Sequence, residues 1–280
     1  MRFFRYLVAR YRGAVAEHAV FLRPEGLTGV EALHARFVQH AYVPHSHPTW
    51  TVAVMQAGAA RFEVDATRQR ADRGELFVLE PEAVHTGMAA VPEGWGYQVL
   101  YLDPALVHEW AERDASAPRA ARWVVFRDPS LRAALLRMHA AFAAGETGLE
   151  RDELVVDAVA GLRRHLRPVP PNALGGREHA AVRRARSYLA DRWDRPVALA
   201  ELAASAGLSR FELIRRFRQQ TGLTPHAFQT NLRMAHARTM LRAGDPIAGV
   251  AAACGFADQA HLTRTFRRAV GVTPGRFAAA

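Results

Sequence analysis

The chain has 280 residues, of which 37 are basic and 27 acidic, for a formal charge of +10. That length favours two domains, the apolar half of the composition supports real cores, and no run reaches the roughly 18 apolar residues of a membrane-spanning helix. The charge is unevenly placed: residues 177–280 carry 17 arginines against 7 acids, whereas residues 1–176 carry 20 of each, and there is no lysine. The excess positive charge therefore sits entirely in the C-terminal third, as an electrostatic footprint for phosphate. The single cysteine, Cys254, closes no internal disulfide and reads as a small buried residue.

Residues 1–15, MRFFRYLVARYRGAV, are cationic and apolar, but Arg5, Arg10 and Arg12 interrupt them. A secretory segment is not present, so they are read as an N-terminal extension, with a cytoplasmic location and no membrane partner expected. Residues 16–102 read as strands. Short β-rich runs (49–56, 61–65, 75–80 and 97–102) alternate with turn signals at Gly58, Gly74, Pro81, Gly94 and Gly96, a pattern that favours a sandwich or small barrel. Within it, PHSHP (44–48) precedes Gly58, and GELFVLEPEAVH (74–85) ends in a third histidine. This arrangement is similar to the two motifs of a cupin barrel. His45 and His47 are two apart and share a face on a strand, and His85 is placed to meet them.

Three imidazoles are a set that holds zinc, iron or copper. The metal-binding cupins, however, place a glutamate four residues after the second histidine, where this chain has Thr51. The expectation is a metal-free effector pocket with no cofactor, using His45, His47, His85 and Trp50, with Phe62, Phe77 and Trp95 as further apolar wall. A metal site on His45, His47 and His85 is the rival reading. His34, His40, His108 and His139 fall in no usable pattern.

From Asp128 the pattern is helical. DPSLRAALLRMHAAFAAG (128–145) begins with an Asp-Pro cap signal and ends at glycine, with Leu131, Leu135, Met138 and Phe142 as its apolar stripe. A second helix over 149–166 carries Leu154, Val155, Ala158, Val159 and Leu162. Two such helices after a barrel serve either as core cover or as a dimer interface. RPVPPNALGG (167–176) is rich in proline and glycine and reads as a semi-rigid linker at 167–177. A helix at 178–192 then opens the last domain.

That domain contains a repeat. LAELAASAGL (199–208) returns as IAGVAAACGF (247–256), and LIRRFRQQTGLTPHAF (213–228) returns as LTRTFRRAVGVTPGRF (262–277). Each copy reads as a helix-turn-helix unit. Ser209 and Glu212 form a capping-box signal for one second helix, and Asp258 caps the other. Leu213 and Phe217 face inward, as do Leu262 and Phe266, while Phe211, Arg215, Arg218, Ala260, Arg264 and Arg267 face out by helical geometry. Residues 224–244 read as one connecting helix. Its roughly 18 residues span about 27 Å at 1.5 Å per residue, near the 34 Å between successive major grooves.

These residues, and especially GFADQAHLTRTFRRAVGVTPGRF (255–277), resemble the AraC/XylS family of bacterial transcription regulators over roughly 178–278. The resemblance implies a two-domain α+β chain. An N-terminal cupin-like sensor and its following helices (16–166) precede an all-α domain of two helix-turn-helix units (178–280). It also implies recognition helices in successive major grooves of double-stranded DNA. Carried over by position, Arg210, Phe211, Ile214 and Arg215 are base-facing in the first unit, and Gln259, Ala260, His261 and Arg264 in the second, with Arg218 and Arg267 on the same outward stripes. The implied partners are DNA, a small-molecule effector, a second copy of the chain at the 128–166 helices, and RNA polymerase. The implied role is regulatory rather than enzymatic, and the alternative is a metal-dependent cupin enzyme fused to a DNA-binding module.

Overall fold

Residues 17–64, 67–107, 119–121, 124–168 and 179–280 are described by the computed structural model. The extension at 1–15 and residues 169–177 of the expected linker lie outside them. Residues 167 and 168, also assigned to the linker, instead belong to a short strand, β11 (Leu166–Pro168), which pairs with β9 (Arg119–Ala121).

Eight strands build the N-terminal barrel: β1 (His18–Leu22), β2 (Val30–Phe37), β3 (Tyr42–His45), β4 (Trp50–Val64), β5 (Thr67–Asp72), β6 (Leu76–Leu79), β7 (His85–Ala89) and β8 (Trp95–Leu102). The two-residue β10 (Val125–Phe126) extends the edge beyond β6. All the pairings are antiparallel, and β4 belongs to both layers. Its first half pairs with β6 and β8, and its second half with β5 and β7.

The turn expected at Gly58 is therefore a bend inside one 15-residue strand. A register shift between Met55 and Ala57 re-aims the chain. Gly58 has φ +60°, and a Cβ there would lie 1.8 Å from the Gly94 carbonyl oxygen, so only glycine fits.

Strand alternation then sorts side chains between two cores. Leu33, Ala35, Ala53, Met55, Tyr97 and Val99 fill the lumen, while Ala32, Trp50, Val52, Val54, Leu100 and Leu102 point to the outer face. Helices α1 (Pro129–Ala144) and α2 (Leu149–Arg163) cover that outer face. The Asp128 carboxylate accepts from the Leu131 amide at 2.9 Å, Pro129 occupies the first turn, and Gly145 ends α1 in the left-handed region.

The apolar stripes of these helices are core cover. Leu131, Leu135, Met138 and Leu162 are at most 2% exposed and pack on the sheet. They are not available to a second chain, so any dimer contact on α1 and α2 must use their opposite faces.

The C-terminal domain runs α3 (Ala180–Ala190), α4 (Leu199–Ala206), α5 (Arg210–Thr221), α6 (Pro225–Arg242), α7 (Ile247–Ala253), α8 (Gln259–Val270) and α9 (Pro274–Ala278). Two of the capping residues, Ser209 and Asp258, are those the sequence marks; Thr224 and Thr273 are added by the structure. Ser209, Thr224, Asp258 and Thr273 accept from the amides of Glu212, Ala227, His261 and Arg276. The Glu212 side chain does not complete a reciprocal box; it pairs with Arg216 one turn on.

The first unit has its own core around Val182, Leu189, Leu202, Leu213 and Phe217. The second is continuous with the barrel lumen: Phe266 and Phe277 pack together, and Phe277 meets Phe21 of β1 edge to face at 5.1 Å. Cys254 and its repeat partner Ala206 are both fully buried. Burial pushes the Cys254 thiol up to about 11.

A cluster of charges closes the seam between the domains. The Glu31 carboxylate of β2 accepts from Arg23 at 2.9 Å, from Arg242 at 2.8 Å and from Arg238 at 3.3 Å. Arg23 also donates to the Phe277 and Ala280 carbonyls. Burial alone would raise Glu31, but the Arg242 hydrogen bond and the charges of Arg238 and Arg242 outweigh it and hold the carboxyl at about 2.

Two outcomes follow from this packing. Leu135→Ala should cost about 2–5 kcal/mol of stability; an unchanged melting temperature would place α1 on the surface instead. At the seam, the folded carboxyl lies below its ordinary 4.5, so its stabilisation is complete above that pH and is lost as pH falls toward about 2. Glu31→Gln should remove about 3 kcal/mol at neutral pH and flatten this acid limb. Calorimetric melts that coincide for wild type and variant at neutral pH would show that the cluster contributes nothing.

Candidate functional site

The barrel mouth brings the three histidines together. His45 ends β3 and His85 begins β7, and the two are direct antiparallel partners, so their side chains share one face. Their rings lie 4.3 Å apart, and His47, two residues on, lies 5.0 Å from His85 and 6.0 Å from His45. All three are buried.

Each Nδ1 faces a backbone carbonyl: Val43 for His45 at 2.8 Å, Thr49 for His47 at 3.2 Å and Ala83 for His85 at 2.8 Å. A carbonyl only accepts, so each Nδ1 carries the proton and each Nε2 keeps its lone pair. Thr51, opposite, donates its hydroxyl to His47 Nε2 at 3.1 Å. Burial holds the imidazoles neutral. His85 is pushed down to about 4, and His45 and His47 fall well below the ordinary range, with the neighbouring His85 adding to the effect of burial.

Around the histidines, Tyr42 and Tyr97 share a hydroxyl–hydroxyl hydrogen bond at 2.9 Å, and Tyr101 meets His47 edge to face. The enclosed lumen here has a volume of about 50 Å³. Phe62, Phe77 and Trp95 line it as expected. Trp50 does not: strand alternation turns it to the outer face under α1 and α2, so it is removed from the pocket residues. A larger crevice of about 490 Å³ opens between barrel and C-terminal domain, sharing His45, His47, Tyr101 and Arg238 with the lumen. Ligand sites usually run from about 300 to 1,000 Å³, so the crevice has room for a small organic molecule and the lumen has not.

The second candidate surface is the outward face of α5 and α8. Arg210, Phe211, Ile214, Arg215 and Arg218 are all exposed on α5, as are Gln259, Ala260, His261, Arg264 and Arg267 on α8. Phe211 is 80% exposed, an uncommon position for a phenylalanine without a partner surface. The C-terminal ends of both helices turn toward the barrel. A Cβ on Gly271, just past α8, would lie 2.6 Å from the Tyr42 hydroxyl, and one on Gly222, just past α5, would lie 3.3 Å from Val84. Arg267 shares that end: burial lowers the His40 imidazole, the Glu17 carboxylate partly offsets this, and the Arg267 charge lowers it further.

Sequence reasoning missed Glu31, Arg23, Arg238, Arg242 and the tyrosines of the pocket. One signal was present. Arg238 falls within the buried helical stripe Met234, Ala237 and Leu241 of α6, where an unpaired arginine would be costly.

Comparison with known proteins agrees with this geometry. Residues 27–159 match the family model of the AraC-like ligand binding domain, and residues 202–280 match that of a helix-turn-helix domain. An uncharacterized HTH-type transcriptional regulator of Bacillus subtilis, YbfI, is 23% identical over 83% of this chain and 86% of its own length. The HTH-type transcriptional activator RhaR of Klebsiella pneumoniae is 25% identical over 89% of this chain and 92% of its own. The crystal structure of ToxT from Vibrio cholerae covers 94% of this chain and 97% of its own, with a TM-score of 0.53 at 10% identity, a likeness of fold. Among the described residues, no helix is long and apolar enough to cross a membrane. The chain belongs to the AraC/XylS family of transcriptional regulators, with an N-terminal cupin-like ligand-binding domain and a C-terminal double helix-turn-helix DNA-binding domain.

Proposed function

We propose that this regulator reads DNA through the N-terminal halves of α5 and α8 and that a small molecule at the barrel mouth controls how the two helices are presented. One observation carries the reading. Both helices seat their C-terminal ends against the barrel and leave their capped, arginine-bearing N-terminal halves in solvent. Arg215 and Arg264 hold equivalent places in the repeat and act on base edges, with guanine as the favoured partner. Phe211 and Ile214 supply apolar contact suited to thymine methyl groups. Arg210, Arg218, Gln259, Ala260, His261 and Arg267 complete the face.

The effector site is the inter-domain crevice, with His45 and His47 in its wall and His85 in the adjoining lumen. Arg23, Arg238 and Arg242 favour an anionic head group, and Leu27, Met234 and Val270 an apolar body. The related fold of ToxT has been crystallised with an unsaturated fatty acid bound, which supports a ligand of this character. The regulator acts in the cytoplasm, without catalysis of its own, as a homodimer that addresses RNA polymerase at its promoters. The dimer contact fits the outward face of α2, where Leu149 and Val156 are 75% and 64% exposed. A cupin enzyme fused to a DNA-binding module gains nothing from the relatives, which are themselves transcriptional regulators.

Fluorescence anisotropy on promoter fragments checks the DNA face. Arg215→Ala and Arg264→Ala should each cost about 1–3 kcal/mol on the cognate site and relax base preference in one half of it. Equal losses on cognate and random DNA would make both arginines phosphate contacts. Sedimentation checks the dimer: a Leu149→Arg, Val156→Arg double variant should run as a monomer, and a wild type already monomeric on its DNA would remove the idea.

A further inference from the structure

The geometry points to a zinc site at the barrel mouth, with His45, His47 and His85 as its three protein ligands. Their ligand atoms all lie within 4.8 Å of one another. Tetrahedral zinc, with nitrogen bonds of about 2.0–2.1 Å, needs donors about 3.3–3.4 Å apart. Closing the set takes at most about 1.5 Å, shared between the two rings furthest apart.

Proximity alone would not make a site; the orientation does. All three imidazoles tie Nδ1 to a backbone carbonyl, which leaves three unprotonated Nε2 atoms for an ion. This is the outer-shell arrangement that fixes tautomer and ring plane in histidine metal sites. Val43 of β3, Thr49 just after His47 and Ala83 just before His85 supply the carbonyls, so the orientation is built by the backbone and does not depend on a chance rotamer.

The surroundings select the ion and its fourth ligand. Three neutral imidazoles with no carboxylate suit a borderline ion such as Zn²⁺ rather than Ca²⁺ or Mg²⁺. Thr51 removes only the fourth protein ligand. Its hydroxyl hydrogen-bonds His47 Nε2 and turns aside when the ion takes that lone pair. The open position faces the lumen of about 50 Å³, which holds an ion and a water. Arg238 lines the same space and already engages Glu31. The ion's uncompensated charge therefore calls for an anionic fourth ligand, hydroxide or a carboxylate reaching in from the crevice.

The site shares His45 and His47 with the wall of the crevice, but its test uses neither effector nor DNA. The chelator-stripped full chain is titrated with Zn²⁺ by calorimetry, and elemental analysis follows dialysis; Co²⁺ serves as a visible-absorption probe of tetrahedral coordination. One ion per chain is expected, with tetrahedral Co²⁺ bands and a rise in melting temperature. His47→Ala and His85→Ala should each abolish that stoichiometry at the same free zinc, whereas His226→Ala, at an exposed histidine outside the cluster, should keep it. A wild-type chain that takes up no zinc at micromolar free ion overturns the proposal without any variant. So does an ion retained by the folded His47→Ala, His85→Ala double variant.

Discussion

The relation between the two domains depends on one carboxylate. A C-terminal domain with ten excess positive charges is laid on a half of the chain with none, and three guanidinium groups meet at the seam. Glu31 is the acid that receives all three. An isolated charge taken from water costs several kcal/mol, so Arg238 inside the seam requires that partner. The apolar contact beside it, Phe21 on Phe277, adds area but little direction. The ion cluster supplies the geometry: it ties β2 to α6 and, through Arg23, to the chain's last residues.

Elements whose information is local were legible. The repeat, its caps at Ser209 and Asp258 and the bounds of α1 and α6 came from residues within a few positions of each helix end, where the physics of unsatisfied amides is itself local. The outward faces of α5 and α8 were legible for the same reason: 3.6-residue periodicity put Phe211, Arg215, Arg264 and Arg267 outside, and they are outside. Strand parity carried the histidines, since His45 and His47 share a face whatever the barrel around them does.

Residues whose role depends on a distant partner were not legible. Trp50 looked like pocket wall because an aromatic beside HxH is apolar, but parity relative to Thr51 turns it under α1. The stripe of Leu131, Leu135 and Met138 was read as a surface for a partner chain, and it packs on the sheet instead; nothing in a helix's own sequence says which surface meets it. Gly58 carried a turn signal, yet its neighbour across the barrel, Gly94, makes it a bend in a continuous strand. Glu31 lies more than 200 residues from Arg238 and Arg242, and no periodicity joins them.

The position of Arg238 connects these parts into a regulatory argument. It belongs to the connecting helix of the DNA-binding domain, it binds Glu31 of the barrel, and it lines both the lumen and the crevice. A ligand shifts a conformational equilibrium only by its difference in affinity for the two states. An anion in the crevice competes with Glu31 for Arg238, so it favours whichever domain arrangement frees that arginine. Against the effect of burial, Arg238 and Arg242 hold the Glu31 carboxyl well below its ordinary range, so a competing anion draws on the contacts that join the domains. Because α6 joins the two helix-turn-helix units and both recognition helices end against the barrel, a rearranged seam alters how α5 and α8 are presented together. On the proposed reading, ligand and DNA therefore act through the same helix, α6.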